Sequence, residues 1–172
     1  RIRTIALVHE ALSREPGEDV TLLEIVRPLL RLAEEGLQSP DRPVRFTVEG
    51  DGGRVPATIA TPLSVVLTEL LQNAVEHGFG DGVGGDVVVR LAHDSDRLHI
   101  TVVDDGRGVD PGFDLESAEG LGLSIVRTLV TTELAGTISI TAATAGDLVA
   151  AGLDSSGGRG TVIEMDVPTF GE

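Results

Sequence analysis

The 172-residue chain has no cysteine, no tryptophan, no tyrosine, one methionine and only four phenylalanines. Without thiols there is no disulfide framework and no thiolate zinc site, a usage compatible with a cytoplasmic protein. With so few aromatic rings, base stacking on aromatic platforms is not expected. Positive charge is also scarce: 13 basic residues face 28 acidic ones, for a formal net charge of −15. A field of that sign repels nucleic acid and anionic lipid. It also opposes a free polyphosphate, so any nucleotide site here needs Mg²⁺ and local donors. No apolar run approaches the ~18 residues of a membrane span, and no signal-peptide pattern opens the chain. Neither nucleic acid nor membrane is therefore an expected partner. Arg1 stands within a helical pattern without an initiator Met, so the sequence is expected to be a fragment of a longer protein.

What is present is an ordinary hydrophobic share, 41%, and 22 glycines, which suits one main core. Residues 1–15 read as a helix, with Ile2, Ile5, Ala6, His9 and Leu12 at helical spacing, ended by Pro16-Gly17. A second helix spans about Val20–Glu35, with Gly36 as its stop and Pro28 either kinking it or marking its start. Val44–Val48 is a short strand, followed by a turn at Gly50-Asp51-Gly52-Gly53. Thr61-Pro62 has the chemistry of a helix start, Thr as cap and Pro as first helical residue, and Gly78 closes that helix. Phe79–Asp86 is a glycine-rich loop. Asp86–His93 and Arg97–Asp104 form an antiparallel hairpin across Asp94-Ser95-Asp96. A helix over Leu121–Leu134 and strands over 136–142 and 161–167 complete the pattern. The segment 143–160, with its apolar Leu148, Val149 and Leu153, has no role legible in the sequence.

Four groups carry chemistry. At about 100° per residue, Glu69, Asn73 and His77 share one helix face, opposite the apolar Leu63, Val66, Leu67, Leu70, Leu71 and Ala74. Asn73 offers a neutral oxygen suited to Mg²⁺ when phosphates and water complete the shell. Glu69 is placed to order or deprotonate an attacking group, and His77 to donate to a phosphate; a solvated polar face has the same composition. Asp104 continues the inward phase of Leu98, Ile100 and Val102. A core-facing acid there needs a donor such as an exocyclic amino group, and Gly106 and Gly108 let backbone approach a flat base. Asp-Asp-Gly is equally ordinary turn chemistry. Gly120 and Gly122 precede an apolar helix, a possible anion site or a plain flexible loop. Gly157-Gly158-Arg159-Gly160 reads as a tight turn that brings the hydroxyl of Thr161 to the start of the last strand.

In order and spacing these groups resemble the nucleotide-binding domain shared by sensor histidine kinases, type II topoisomerases, the Hsp90 chaperones and MutL. Glu69–His77 looks like the N box, Asp104-Asp105-Gly106-Arg107-Gly108 like the G1 box, Gly120-Leu121-Gly122-Leu123 like the G2 box, and Gly158–Thr161 like the last glycine box. The resemblance covers roughly residues 20–168. The stretch Arg1–Leu12, Thr61-Pro62-Leu63, His77-Gly78-Phe79, and Glu133-Leu134 before Gly136-Thr137-Ile138 are similar to histidine kinases of the HisKA_2 type. Residues 1–15 then correspond to the end of the second dimerisation helix, and 16–172 to the catalytic ATP-binding domain.

The resemblance implies an α/β two-layer sandwich, with a mixed, mainly antiparallel sheet and helices on one face. It implies transfer of the ATP γ-phosphoryl group to a histidine outside this chain. Asn73 would hold Mg²⁺ and Asp104 the adenine amino group. Gly106, Gly108, Gly120, Leu121 and Gly122 would line the nucleotide, with Glu69 as base or orienting carboxylate, His77 on a phosphate and Thr161 helping to hold the adenine. The partners implied are a histidine-bearing dimerisation domain of the same protein and a response regulator's receiver domain, with a homodimer as the intact assembly. Two departures stand out: Ala118 occupies a position where many relatives have glycine, and the lid between Gly108 and Gly120 is short, with Phe113 its sole aromatic. His9 falls on the second helix of the hairpin, not the first, so it is not expected to be the phosphoacceptor. A serine kinase of the anti-sigma-factor type, with the same boxes, and a non-catalytic nucleotide-binding module are the alternatives.

Overall fold

The computed structural model describes residues 19–36, 44–79, 85–109, 113, 115 and 121–169. The expectations for residues 1–15, His9, Ala118 and Gly120 fall outside these residues. Helix α1 (Leu22–Gly36) buries Leu22, Ile25, Val26, Leu29, Leu30 and Ala33 along one stripe, as its spacing requires. Pro28 lies inside this helix and does not begin it; its missing N–H leaves the ladder one bond short. A three-residue strand, β1 (Asp19–Thr21), precedes α1 and pairs antiparallel with β3 (Arg54–Pro56). Neither strand is expected from the sequence pattern.

The main sheet has five strands: β2 (Val44–Glu49), β4 (Gly85–His93), β5 (Arg97–Asp104), β6 (Thr137–Ala142) and β7 (Thr161–Pro168). Their order across the sheet is β2-β4-β5-β7-β6, and only the β2–β4 pair is parallel. The hairpin turn closes with the Asp94 N–H on the Arg97 carbonyl at 2.9 Å.

Helix α2 (Ala57–Asn73) begins four residues before the expected Thr61 cap, directly after Pro56. Ala57, Ile59 and Ala60 continue its core stripe upstream, and packing overrides the cap signal. Thr61 lies inside the first turns, donating its hydroxyl to the Ala57 carbonyl at 3.2 Å. After Asn73 the helix widens into a π-helical turn, Ala74–Gly78. Helix α3 (Leu121–Thr128) ends the same way, in Leu129–Glu133.

The core lies between α1, α2 and α3 and one face of the sheet, where Val87, Val89, Leu91, Leu98, Ile100, Val102, Ile163, Met165 and Val167 are buried. Helices on one face only, as expected, therefore describes α1–α3 but not a fourth. Short α4 (Ala145–Ala150) lies on the opposite face, where Ala143, Leu148 and Ala151 bury Val88, Val103 and Val162 in a second, smaller core. Those three valines are neighbours across β4, β5 and β7. Thr144 caps α4: its hydroxyl accepts from the Asp147 N–H at 3.1 Å, and the Asp147 carboxylate accepts from the Thr144 N–H at 2.9 Å. The segment 143–160 thus covers one end of the sheet from behind.

Candidate functional site

Asp104 ends β5 in phase with Leu98, Ile100 and Val102, and only 3% of its surface is exposed. Its Oδ1 accepts the Gly106 N–H at 2.9 Å. Burial pushes its carboxyl up to about 6; the neighbouring Asp105 charge adds to the rise, while the N–H groups of Gly106 and Thr161 pull the other way. Thr161, also buried, sits opposite Asp104 in the β5–β7 register. A carboxylate has about four lone-pair positions, so the Gly106 bond leaves acceptor capacity for a ligand donor.

The two glycine turns meet beside this acid, backbone on backbone. A Cβ on Gly160 would overlap the carbonyl oxygen of Asp104, and a Cβ on Gly108, whose φ is +81°, would lie 3.0 Å from the Gly160 carbonyl oxygen. Only glycine suits either contact. The Gly160 carbonyl also accepts the Ala143 N–H at 2.9 Å, which ties the turn to the α4 segment.

On the helical side, Glu69 and Asn73 are one turn apart on α2, and both are half-buried. Glu69 reaches across to α3, where its Oε2 lies 2.8 Å from the place a Cβ on Gly122 would take. The acid of the first motif and a glycine of the third are therefore in contact range. The regular spacing stops at Asn73. His77 lies in the wider Ala74–Gly78 turn that follows. Leu121 opens α3.

Several residues of this region went unread in the sequence. The Asp105 carboxylate accepts the Asp86 N–H at 2.9 Å, and its own N–H meets the Asp86 carbonyl at 3.3 Å. It ties the turn after β5 to the start of β4. Phe79 is buried, and a Cβ on Gly85 would overlap its ring. Gln72, next to Asn73, is buried with its Oε1 lacking any hydrogen-bond partner. A long-range contact of this kind leaves no local sequence signal. Among the described residues no group of three or more His, Asp and Glu side chains is arranged to hold a metal ion.

A two-layer sandwich with a buried acid at the end of a central strand, two glycine turns against it and an acid-bearing helix alongside is the build of a nucleotide-binding domain. The family described as histidine kinase-, DNA gyrase B-, and HSP90-like ATPase matches this chain over residues 58–170. The sensor histidine kinase PdtaS of Mycobacterium tuberculosis is 39% identical over 169 residues, covering 98% of this chain and 31% of that protein. PdtaS of Mycolicibacterium smegmatis is 43% identical over 141 residues, 81% of this chain and 28% of that protein. The chain thus spans about a third of the length of these curated relatives. Among solved structures, the histidine kinase domain of the Erythrobacter litoralis EL346 blue-light activated histidine kinase superposes with a TM-score of 0.72 at 24% identity, over 98% of this chain and 72% of that one. The chain belongs to the histidine kinase-, DNA gyrase B- and HSP90-like ATPase family, and within it is a catalytic ATP-binding domain of the sensor histidine kinase kind.

Proposed function

We propose that this domain binds ATP with Mg²⁺ and passes the γ-phosphoryl group to a histidine on a helical hairpin outside the chain. The observation that carries the reading is the buried Asp104 carboxylate set against the Gly108–Gly160 contact. An adenine suits that place: its exocyclic amino group is the donor a buried carboxylate needs, and the close backbone contact of Gly108 with Gly160 holds the turns beside the acid. Gly106 and Thr161 complete the adenine end. Glu69 orients or deprotonates the accepting imidazole, and Gly120, Leu121 and Gly122 bring backbone N–H groups to the phosphates. His77 supplies a further phosphate donor.

Mg²⁺ suits a site whose protein contribution is the single neutral oxygen of Asn73, since that ion keeps waters and phosphate oxygens as its other ligands. When bound it neutralises charge on the transferring group; the chain's own residues position and exclude water. By the same proposal the parent protein is a cytoplasmic homodimer of the HisKA_2 type, with residues 1–15 ending its second dimerisation helix and 16–172 forming the catalytic domain. Its phosphohistidine would serve a response regulator's receiver domain.

Calorimetry with ATP and ADP, with and without Mg²⁺, on wild type and Asp104→Ala tests the binding half. Affinity is expected to be lost in the variant, and an unchanged affinity overturns the adenine assignment. Incubation with ATP and either a histidine-bearing hairpin or a serine-protein substrate tests the transfer half. Acid-labile label on the hairpin that Glu69→Ala abolishes is expected. Acid-stable label on serine identifies the anti-sigma-factor type of kinase instead, and transfer unaffected by Glu69→Ala removes that residue from the chemistry.

A further inference from the structure

The outer edge of β6 and the open sheet face beside it take no part in the site described above. β6 ends the sheet, and among the described residues no strand pairs with its outer side. Thr137-Ile138-Ser139-Ile140-Thr141-Ala142 holds no charge and no proline, so it lacks the usual devices by which an edge resists further pairing. The opposite edge, β2, has them: Arg45 pairs with Asp86 at 3.0 Å, and Glu49 with Arg90 at 3.2 Å.

Beyond the end covered by α4, the rear face of the sheet holds a groove of about 430 Å³ whose walls include His99, Thr101, Thr137, Ser139, Glu164 and Asp166. Asp166 is engaged by Arg97 and, at 3.1 Å, by His99. Glu164 is exposed on the strand next to β6, directly beside Ser139. Along β6 the side chains alternate, Thr137, Ser139 and Thr141 toward this groove and Ile138 and Ile140 toward the main core.

We propose that β6 receives an extended segment of a partner protein as a sixth strand, with basic residues alternating with β-branched apolar ones. Unpaired edge N–H and C=O groups supply the affinity of strand addition, and alternate side chains supply the selectivity. Lysine or arginine on the rear face reaches over β6 to Glu164, and Val or Ile on the other face extends the layer over Ile138 and Ile140. The net charge of −15 draws a basic segment in and sets a second copy of this chain against itself.

The test uses this chain and three blocked hexapeptides: Lys-Val-Lys-Val-Lys-Val, the same composition as Lys-Lys-Lys-Val-Val-Val, and Glu-Val-Glu-Val-Glu-Val. Binding is followed by anisotropy and by amide shifts, then by carbodiimide coupling and mass spectrometry. The chain has no lysine of its own, so an isopeptide bond to a lysine side chain reports the peptide alone. The alternating peptide is expected to perturb amides of 137–142, couple to Glu164 and bind at least about tenfold tighter than either control. Ser139→Lys and Glu164→Gln are each expected to weaken it by roughly tenfold while ATP affinity, a check on folding, stays constant. Equal binding of the alternating and block peptides, or coupling scattered over many acids, overturns the proposal in favour of general charge attraction. Concentration-dependent dimers abolished by Ser139→Lys overturn it in favour of a second copy.

Discussion

Among the described residues, Asp104 has its carboxyl pushed upward by burial. Its folded carboxyl titrates at about 6 against an ordinary 3.8. Below 3.8 both folded and unfolded forms are protonated, and the apo fold carries no charge penalty there. As pH rises through 6 the folded state must hold a desolvated charge, and this stabilising contribution is lost, on the order of 3 kcal/mol. Asp104→Asn is therefore expected to match wild type within about 1 kcal/mol at pH 4 and to exceed its stability by about 1–3 kcal/mol at pH 7–8 in urea melts. Under the adenine assignment proposed for Asp104, binding needs the charged acceptor and should weaken as pH drops below about 6, which calorimetry across pH 5–8 can follow. The glycines separate two costs. Gly160→Ala meets the Asp104 backbone, which cannot yield, so a loss of roughly 2 kcal/mol or more is expected together with weaker nucleotide binding. Gly122→Ala meets the flexible tip of Glu69, so stability should move by less than about 1 kcal/mol while phosphoryl transfer falls.

At the scale of elements, α4 stabilises the sheet from behind. Leu148 is fully buried, and Leu148→Ala is expected to cost about 2–5 kcal/mol, whereas Thr144→Ala, which removes the cap, should cost about 1 kcal/mol; thermal or urea unfolding reads both. None of this was legible in the sequence, because Leu148 finds its partners on β4, β5 and β7, residues far away along the chain. The strands were legible where alternation ran long enough, and β1 and β3, at three residues each, are too short to alternate. Helical spacing marked the apolar residues of the buried face of α2, Leu63, Val66, Leu67, Leu70, Leu71 and Ala74, but not the buried Ser64 and Gln72. Its start was misplaced because Thr61-Pro62 imitates a cap and nothing local weighs that against the packing of Ala57 and Ala60. The inward phase of Asp104 was readable for the same reason as the strand itself. The meeting of Gly108 with Gly160, and of Glu69 with Gly122, was not: each joins segments whose nearness depends on the whole topology.

For the molecule as a whole, charge and topology pull on function differently. A net charge of −15 opposes nucleotide approach over a distance that salt controls, about 30 Å at 0.01 M ionic strength and about 8 Å at 0.15 M. Raising salt across that range is expected to strengthen binding of Mg²⁺-free ATP, with a smaller gain for the Mg²⁺ complex; calorimetry at several salt concentrations checks the sign. The unequal cover of the sheet has its own consequence. The half of β5 near Asp104 lies between two packed layers, while the half near His99 has a layer on one side and solvent on the other. Backbone amides of Val102 and Val103 should therefore exchange with deuterium far more slowly than those of Leu98 and His99, so that any breathing of the sheet begins at the hairpin end and leaves the Asp104 end as the last part to loosen.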